Sequence, residues 1–200
     1  MSAGATSGYP VTFEFDPPEK IARWRPLVHW LLVIPHLIVG YVLTFVAEIL
    51  AFVGWILGIA TGKIPEGIQT LIALSIRYNA RAMTYALFMR EEYPPFSFDT
   101  TFDDPGDDPR VRVSFVPEIE GRNRLTIFFR LLLVIPHFIV LMLVFIVFYF
   151  VVIIAWFAVI ITGNWPAGLR NFAVGLMRWN NRLNGYMFLL TDKYPPFGFQ

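Results

Sequence analysis

Two histidines, each following a proline inside a long apolar run, are the residues of this sequence best suited to chemistry. LLVIPHLIV at residues 31–39 returns almost unchanged as LLVIPHFIV at residues 132–140. Two imidazoles at matching depth in a helical bundle can ligate a haem, so His36 and His137 are candidate cofactor ligands. The alternative is a purely structural role, in which each histidine satisfies a carbonyl that the neighbouring proline leaves without a helical partner. The prolines, which we expect to kink their helices, are Pro35 and Pro136.

A polar stripe on a predicted helix is repeated in the same way. Arg77, Arg81 and Tyr85 are spaced by four residues, which places them on one helix face. The stripe and its second copy comprise Arg77, Asn79, Arg81, Tyr85, Arg178, Asn180, Arg182 and Tyr186. Arginine in a membrane protein faces water, a partner or headgroups. We therefore expect either contacts between the two copies or binding of an anionic phospholipid, whose phosphate fits the guanidinium fork.

The remaining residues predict that the protein is not an enzyme. The chain has no cysteine, no glycine-rich phosphate loop and no recognisable Ser-His-Asp or metalloprotease pattern. The acidic run at residues 99–108 lacks the ligand spacing of a calcium loop and indicates a solvated linker. We expect no metal and no cofactor beyond the haem alternative. A net charge of +1 gives no attraction to nucleic acid.

Composition predicts a membrane protein. Hydrophobic residues make up 56% of the 200 residues and charged residues 16%, and the mean hydropathy is +0.56. Globular proteins average about 45–50% apolar and about 25% charged residues. The 6 Trp and 8 Tyr suit the bilayer interface, where an aromatic ring can be half wet.

The sequence is a tandem duplication. Residues 31–98 align with residues 132–199 at a constant offset of 101 positions. The repeats are residues 1–100 and residues 101–200. Each contains an alternating stretch (VTFEF or VRVSF) that predicts a short half-buried strand, and each ends in a YPPF segment that we also expect to be extended.

Two helices are predicted in each repeat. The long apolar helices run from about Trp30 to Ala60 and from about Leu131 to Ile161. Breaker-rich loops, TGKIPEG and TGNWPAG, separate them from amphipathic helices over about residues 66–90 and 167–191. Basic residues precede both long helices, and the positive-inside rule assigns those ends to the cytoplasm.

We therefore predict a membrane all-α fold with short β-strands and four transmembrane helices, two long and two shorter. The strands pair in the cytoplasm, across the duplication or with the YPPF segments. Both termini face the cytoplasm, and the inner (plasma) membrane is the expected location. The alternative has two spans, with the amphipathic helices lying in the membrane surface.

The chain resembles a bacterial integral-membrane family catalogued as a domain of unknown function, number 4389, in two tandem copies. The resemblance rests on the segments YPVTFEF, RWRPLVHWLLVIPH, TG-x-x-P-x-G, RYNAR with RWNNR, and YPPF. It covers both repeats. It implies a membrane location, and it implies no activity and no functional residues.

These observations favour an accessory or scaffolding subunit of a larger membrane complex, in contact with anionic phospholipid and with a membrane-protein partner or a second copy. One alternative is a small transporter or channel formed by dimerisation, since repeats related by a pseudo-twofold axis are common among transporters. Glu48, a lone carboxylate in the first long helix, would be its weak candidate for coupling. The other alternative is a haem-binding electron carrier.

Overall fold

A computed structural model describes residues 8–199, and both repeats have the predicted order of elements there. Each repeat contributes one strand, one short helix, one long helix and one amphipathic helix. The elements are β1 (Val11–Phe15), α1 (Arg25–Leu32), α2 (Ile34–Thr61), α3 (Glu66–Ala86), β2 (Val111–Phe115), α4 (Arg124–Leu133), α5 (Ile135–Thr162) and α6 (Ala167–Met187). Residues 1–7 and 200 of the predicted repeats lie outside the described part.

The two strands form an antiparallel ribbon across the duplication. Phe13 lies opposite Val113 at its centre. Alternate side chains are buried, as a half-buried strand requires. The prediction that VTFEF pairs with VRVSF is therefore confirmed. The prediction of YPPF strands is wrong, because residues 93–98 and 194–199 contain no strand; the paired prolines lack the N–H groups that a ladder needs.

Each predicted long helix is broken near its start. Val33 ends α1, and α2 begins with Ile34 and Pro35 in its first turn. The second repeat has the same break at Val134, before Pro136. Proline removes one N–H and crowds the preceding turn, which explains why the break falls there.

Two stretches are long and apolar enough to cross a membrane: α2, and α4 together with α5. The amphipathic helices α3 and α6 do not qualify, because arginine and asparagine interrupt their apolar stretches. Four crossings are thus not confirmed. They would also place the loop after α2 across the membrane from the approach to α4, whereas the amide of Arg122 donates to the oxygen of Gly62 at 3.2 Å.

The repeats are related by a pseudo-twofold axis, and the long helices run antiparallel. The indole of Trp55, near the end of α2, donates to the carbonyl oxygen of Ile127 in α4 at 2.9 Å. In the other direction, Trp156 near the end of α5 donates to the carbonyl oxygen of Pro26 in α1 at 3.1 Å. The end of each long helix therefore meets the start of the other.

The molecule consists of three layers. On one side of α3, Asn79 contacts Gly40 and Thr44 of α2. On the other side, Arg77 donates to the carbonyl oxygen of Val113 in β2. We call the outer layers the long-helix layer (α1, α2, α4, α5) and the ribbon layer (β1, β2 and residues 99–119). Helices α3 and α6 form the middle layer, and their buried apolar side chains join those of both outer layers in one core cluster.

The distance between the long helix and the amphipathic helix differs between the repeats: α2 and α3 pack more closely than α5 and α6. Three glycines, Gly40, Gly54 and Gly58, lie on the buried side of α2. A Cβ on Gly40 would lie 2.5 Å from Oδ1 of Asn79, so a larger residue would force the Asn79 side chain to move. The corresponding residues of α5 are Leu141, Ala155 and Val159. Because these are larger, α5 stands further from α6.

Candidate functional site

The outer face of the long-helix layer is the largest apolar surface among the described residues. Its side chains are exposed although they are large and hydrophobic: Ile38 is 61% exposed, Phe52 62%, Ile139 60% and Phe150 58%. Only one stripe of each long helix is buried against the protein. A contiguous apolar surface of this kind marks contact with lipid or another protein.

Aromatic and basic residues border this face at both ends. Trp24 and Trp30 are exposed on α1 beside Arg23, and Phe128 is exposed on α4 beside Arg124. Each basic approach also lies at the C-terminus of the other repeat's long helix: the amide of Ile21 donates to the oxygen of Gly163 at 2.8 Å. Cations there complement the negative end of the helix dipole.

The ribbon layer presents the opposite, polar face. Glu14 and Arg112 are exposed partners in the ribbon, with Thr12 and Ser114 beside them. Most of the acidic connector also lies on this side. The protein therefore has one apolar and one polar face, separated by the middle layer.

The two histidines and the YPPF segments belong to one arrangement, which we call the histidine cage. In the first repeat, His36 stacks on Phe96 at 4.2 Å and lies 4.6 Å from the ring of Tyr93. Its Nδ1 meets the hydroxyl of Tyr78 at 2.7 Å. The hydroxyl of Tyr93 donates to the carbonyl oxygen of Leu32 at the helix break. The tyrosine, and not the histidine, thus satisfies a carbonyl near the proline.

The second repeat builds the same cage with one change. His137 stacks on Phe197 at 3.9 Å and accepts a hydrogen bond from Trp179, which replaces the tyrosine hydroxyl, at 2.9 Å. Nε2 of both His36 and His137 has no partner within residues 8–199.

The haem alternative required the two histidines to face each other. They lie instead in the first turns of antiparallel helices of 28 residues each, so each sits at a different end of the long-helix layer. No group of three or more potential metal ligands occurs within residues 8–199. The structure brings each histidine to an aromatic cage and does not bring the two together.

The arginine stripe of the first repeat is buried against the connector. Arg77 donates to the carbonyl oxygens of Thr101, Phe102 and Asp103 at 2.9–3.1 Å. Arg81 forms ion pairs with Asp104 at 3.0 Å and with Asp107 at 2.8 Å. Both guanidinium groups are thus occupied by the protein itself.

The second stripe makes one contact between the repeats and one within its own repeat. Arg178 donates to the carbonyl oxygen of Phe13 in β1 at 3.2 Å, the counterpart of the bond from Arg77 to β2. Arg182 donates to the oxygen of Gly198. The hydrogen bonds of the stripe arginines are therefore made to the protein itself.

The two tyrosines of the stripe have equivalent partners of different chemistry. The ring of His29 stacks on the ring of Tyr85 at 4.0 Å, and Nδ1 of His29 lies within hydrogen-bond distance of the carbonyl oxygen of Tyr85. In the second repeat, Arg130 takes the place of the histidine: its guanidinium lies 4.4 Å from the ring of Tyr186 and donates to the oxygen of that residue.

The sequence did not predict one fully buried ion pair or another that is partly buried. Arg90 pairs with Asp108, and both side chains are fully buried. Burial raises the pKa of the Asp108 carboxyl, but the hydrogen bond and charge of Arg90 lower that pKa below its usual value. Asp192, which pairs with Arg122, is governed by the same opposition, and its pKa is also lowered. Little in the sequence indicated the Arg90–Asp108 pair, because Asp108 belongs to an acidic run that is typical of a solvated linker.

The fold and these contacts define a duplicated helical protein with one apolar and one polar face. The family profile described as a domain of unknown function (DUF4389) matches residues 23–97 and again residues 124–198. The chain therefore belongs to this family and carries two tandem copies of its domain. No functionally curated protein and no solved structure matches the chain.

Proposed function

We propose that the protein is a non-enzymatic membrane scaffold that lies flat in one leaflet of the bilayer. In this proposal the long-helix layer is immersed among the acyl chains, and the ribbon layer faces water. The single observation that carries it is the position of α3, which runs back along α2 on one side and lies under β2 on the other.

Crossing by α2 would carry water-facing groups into the membrane. Because α3 runs antiparallel to α2 over its whole length, it would cross with α2. The ribbon would follow, with Glu14 and Arg112 at hydrocarbon depth. A charged side chain at that depth costs about 3 kcal/mol on insertion scales.

The loops after the long helices also support a flat orientation. The amide of Ile64 donates to the oxygen of Ile119 at 3.0 Å, and Lys63 pairs with Glu120 at 2.9 Å. Residue 119 is the last residue of the ribbon layer, and residue 120 directly follows it. In this proposal the end of α2 therefore lies beside residues 119 and 120 on the water-facing side, and not at the opposite surface of the bilayer.

The basic ends favour the cytoplasmic leaflet. Lys20, Arg23 and Arg124 are exposed at the border of the apolar face, where they can reach lipid headgroups. Each basic residue close to an anionic surface contributes about 1 kcal/mol. Anionic phospholipid at these border residues, and not at the buried arginine stripe, is part of the proposal.

Depth along α2 tests the orientation. Spin labels at Ile38, Phe45 and Phe52, which are seven residues apart and share one face, would report accessibility to oxygen and to a nickel chelate. A flat helix predicts equal depth at all three, whereas an upright helix predicts a gradient of about 1.5 Å per residue. The matched controls are the repeat counterparts at residues 139, 146 and 153. A depth gradient in either set would refute the proposal.

We further propose that this scaffold is an accessory component of a larger membrane assembly in the inner membrane. Support comes from the absence of a catalytic set in the sequence and from arginines that serve the fold. Native mass spectrometry of the protein extracted from its own membranes in mild detergent tests this. Co-extraction of a second polypeptide is expected; a lone chain carrying only lipid would contradict the accessory role and leave the flat orientation intact.

A further inference from the structure

A cleft opens in the long-helix layer where the pseudo-twofold axis passes through it. Its volume is about 340 Å³, within the range of small-molecule pockets. Equivalent turns of α3 and α6 form its floor, and Thr44 of α2 and Phe145 of α5 stand on opposite sides. Met83 and Phe145 are 45% and 44% exposed, so the cleft opens on the apolar face.

The difference between the repeats creates this cleft. In the first repeat, the amide of Asn79 donates to the oxygens of Gly40, Thr44 and Ser75 at 2.9–3.4 Å. The counterpart of Asn79 is Asn180, but Leu141 and Phe145 occupy the places of Gly40 and Thr44. These larger side chains hold α5 away, and Asn180 loses its partners.

Two asparagine side chains on the floor have no hydrogen-bond partner among residues 8–199. Asn180 and Asn184 are one turn apart on α6, both half-buried, and neither side chain makes a hydrogen bond to residues 8–199. An amide offers both donors and acceptors. Polar groups turned toward lipid are costly unless they find a partner. A ligand with hydrogen-bond donors and acceptors would satisfy this pair of amides.

We propose that the cleft binds the polar end of an uncharged single-chain lipid with hydroxyl or ester groups, such as a monoacylglycerol. No ionisable side chain lines the cleft, which disfavours a phosphate or carboxylate head because its charge would be buried without a partner. The rest of the lining is mainly apolar and contains Phe145, Phe148 and Met187. The acyl tail leaves through the opening between α2 and α5 into the surrounding lipid. This inference rests on the proposed immersion of the long-helix layer.

The test is photo-crosslinking in vesicles of phosphatidylcholine and phosphatidylglycerol. The probe is a monoacylglycerol with a diazirine near its ester, and a fatty acid of the same chain with the same diazirine is the charged comparison. Crosslinks of the neutral probe are expected at Met83 and Phe145. The double variant Asn180→Leu, Asn184→Leu should reduce them about tenfold, as expected for two lost neutral hydrogen bonds.

Two matched variants keep the result interpretable. Asn180→Ser with Asn184→Ser retains polar groups and should keep most of the labelling. Asn171→Leu, on the exposed N-terminal part of α6, should leave it unchanged. Equal labelling by both probes, or labelling that the leucine variants do not change, would overturn the inference alone. If neither probe labels any residue of α2 or α5, the proposed membrane immersion fails and this inference fails with it.

Discussion

Trp55 donates its indole N–H to the carbonyl oxygen of Ile127 at 2.9 Å, across the boundary between the repeats. Its counterpart Trp156 makes the same bond in the opposite direction to Pro26. The short helix of each repeat thus packs against the long helix of the other, so the two repeats form one folded unit. A single repeat would leave both contacts unmade.

Loss of one such bond should destabilise the whole molecule. Trp55→Phe removes the donor of this bond, so we expect a loss of about 1 kcal/mol in the free energy of unfolding. Trp156→Phe should have a similar effect. The measurement is urea unfolding in a mild detergent. Trp30→Phe is the control, since that ring is exposed at the border; an equal loss there would argue against the inter-repeat bonds.

The close approach of α2 and α3 should depend on Gly40. In Gly40→Ala the new Cβ would meet the amide oxygen of Asn79, and overpacking of this kind costs about 1–3 kcal/mol. The thermal midpoint should fall. Gly67→Ala is the matched control, because nothing lies within 4 Å of its Cβ position, and it should hold the midpoint or raise it. Similar midpoints for the two variants would contradict the packing described here.

The histidine cage should protect its imidazole from reagents. All three histidines are buried, so diethyl pyrocarbonate should modify none of them in the folded protein. Phe96→Ala removes the ring stacked on His36 and should make that residue reactive, as mapped by peptide mass spectrometry. Phe45→Ala removes an exposed ring of α2 and serves as control. Unchanged protection of His36 in Phe96→Ala would show that the YPPF segment is not its cover.

Stability should fall in acid because of Asp108. Its pKa is lowered in the folded protein, so the contribution of the pair with Arg90 is complete above the usual pKa of 3.8 and disappears as pH falls through the lower folded value. Asp108→Asn should be less stable at pH 7, because it leaves Arg90 buried without a charge partner, and its loss of stability in acid should be shallower. Thermal midpoints between pH 3 and pH 7 measure both. An unchanged slope would exclude Asp108 as a source of the acid sensitivity.

Much of the fold could be predicted from the sequence, because duplication and periodicity are local signals. The offset between the copies predicted both repeats, and the alternation in VTFEF and VRVSF predicted the ribbon. Proline at residues 35 and 136 predicted the breaks. The family was also indicated by short motifs, and its profile confirms it.

The arrangement of the helices could not be predicted, because it depends on contacts between residues far apart in the chain. The charge pattern was interpreted as parallel long helices, whereas the reciprocal tryptophan bonds make them antiparallel. From the sequence, the arginine stripe could have bound lipid headgroups. Only the fold shows that connector carbonyl oxygens accept hydrogen bonds from it. The cleft was also hidden, since it arises from a difference between Gly40 and Leu141 that is meaningful only once both helices are packed.

The sidedness of the loops tests the central claim most directly. The chain has no cysteine, so single cysteines at Glu14, Lys63 and Asn164 need no background removal. In oriented membrane vesicles, a membrane-impermeant maleimide should label all three from the same side if the protein lies flat in one leaflet. Labelling of the Lys63 and Asn164 variants from the side opposite to the Glu14 variant would establish crossing helices, and labelling of the Lys63 and Asn164 variants from different sides would establish inverted repeats. Either result would contradict the account.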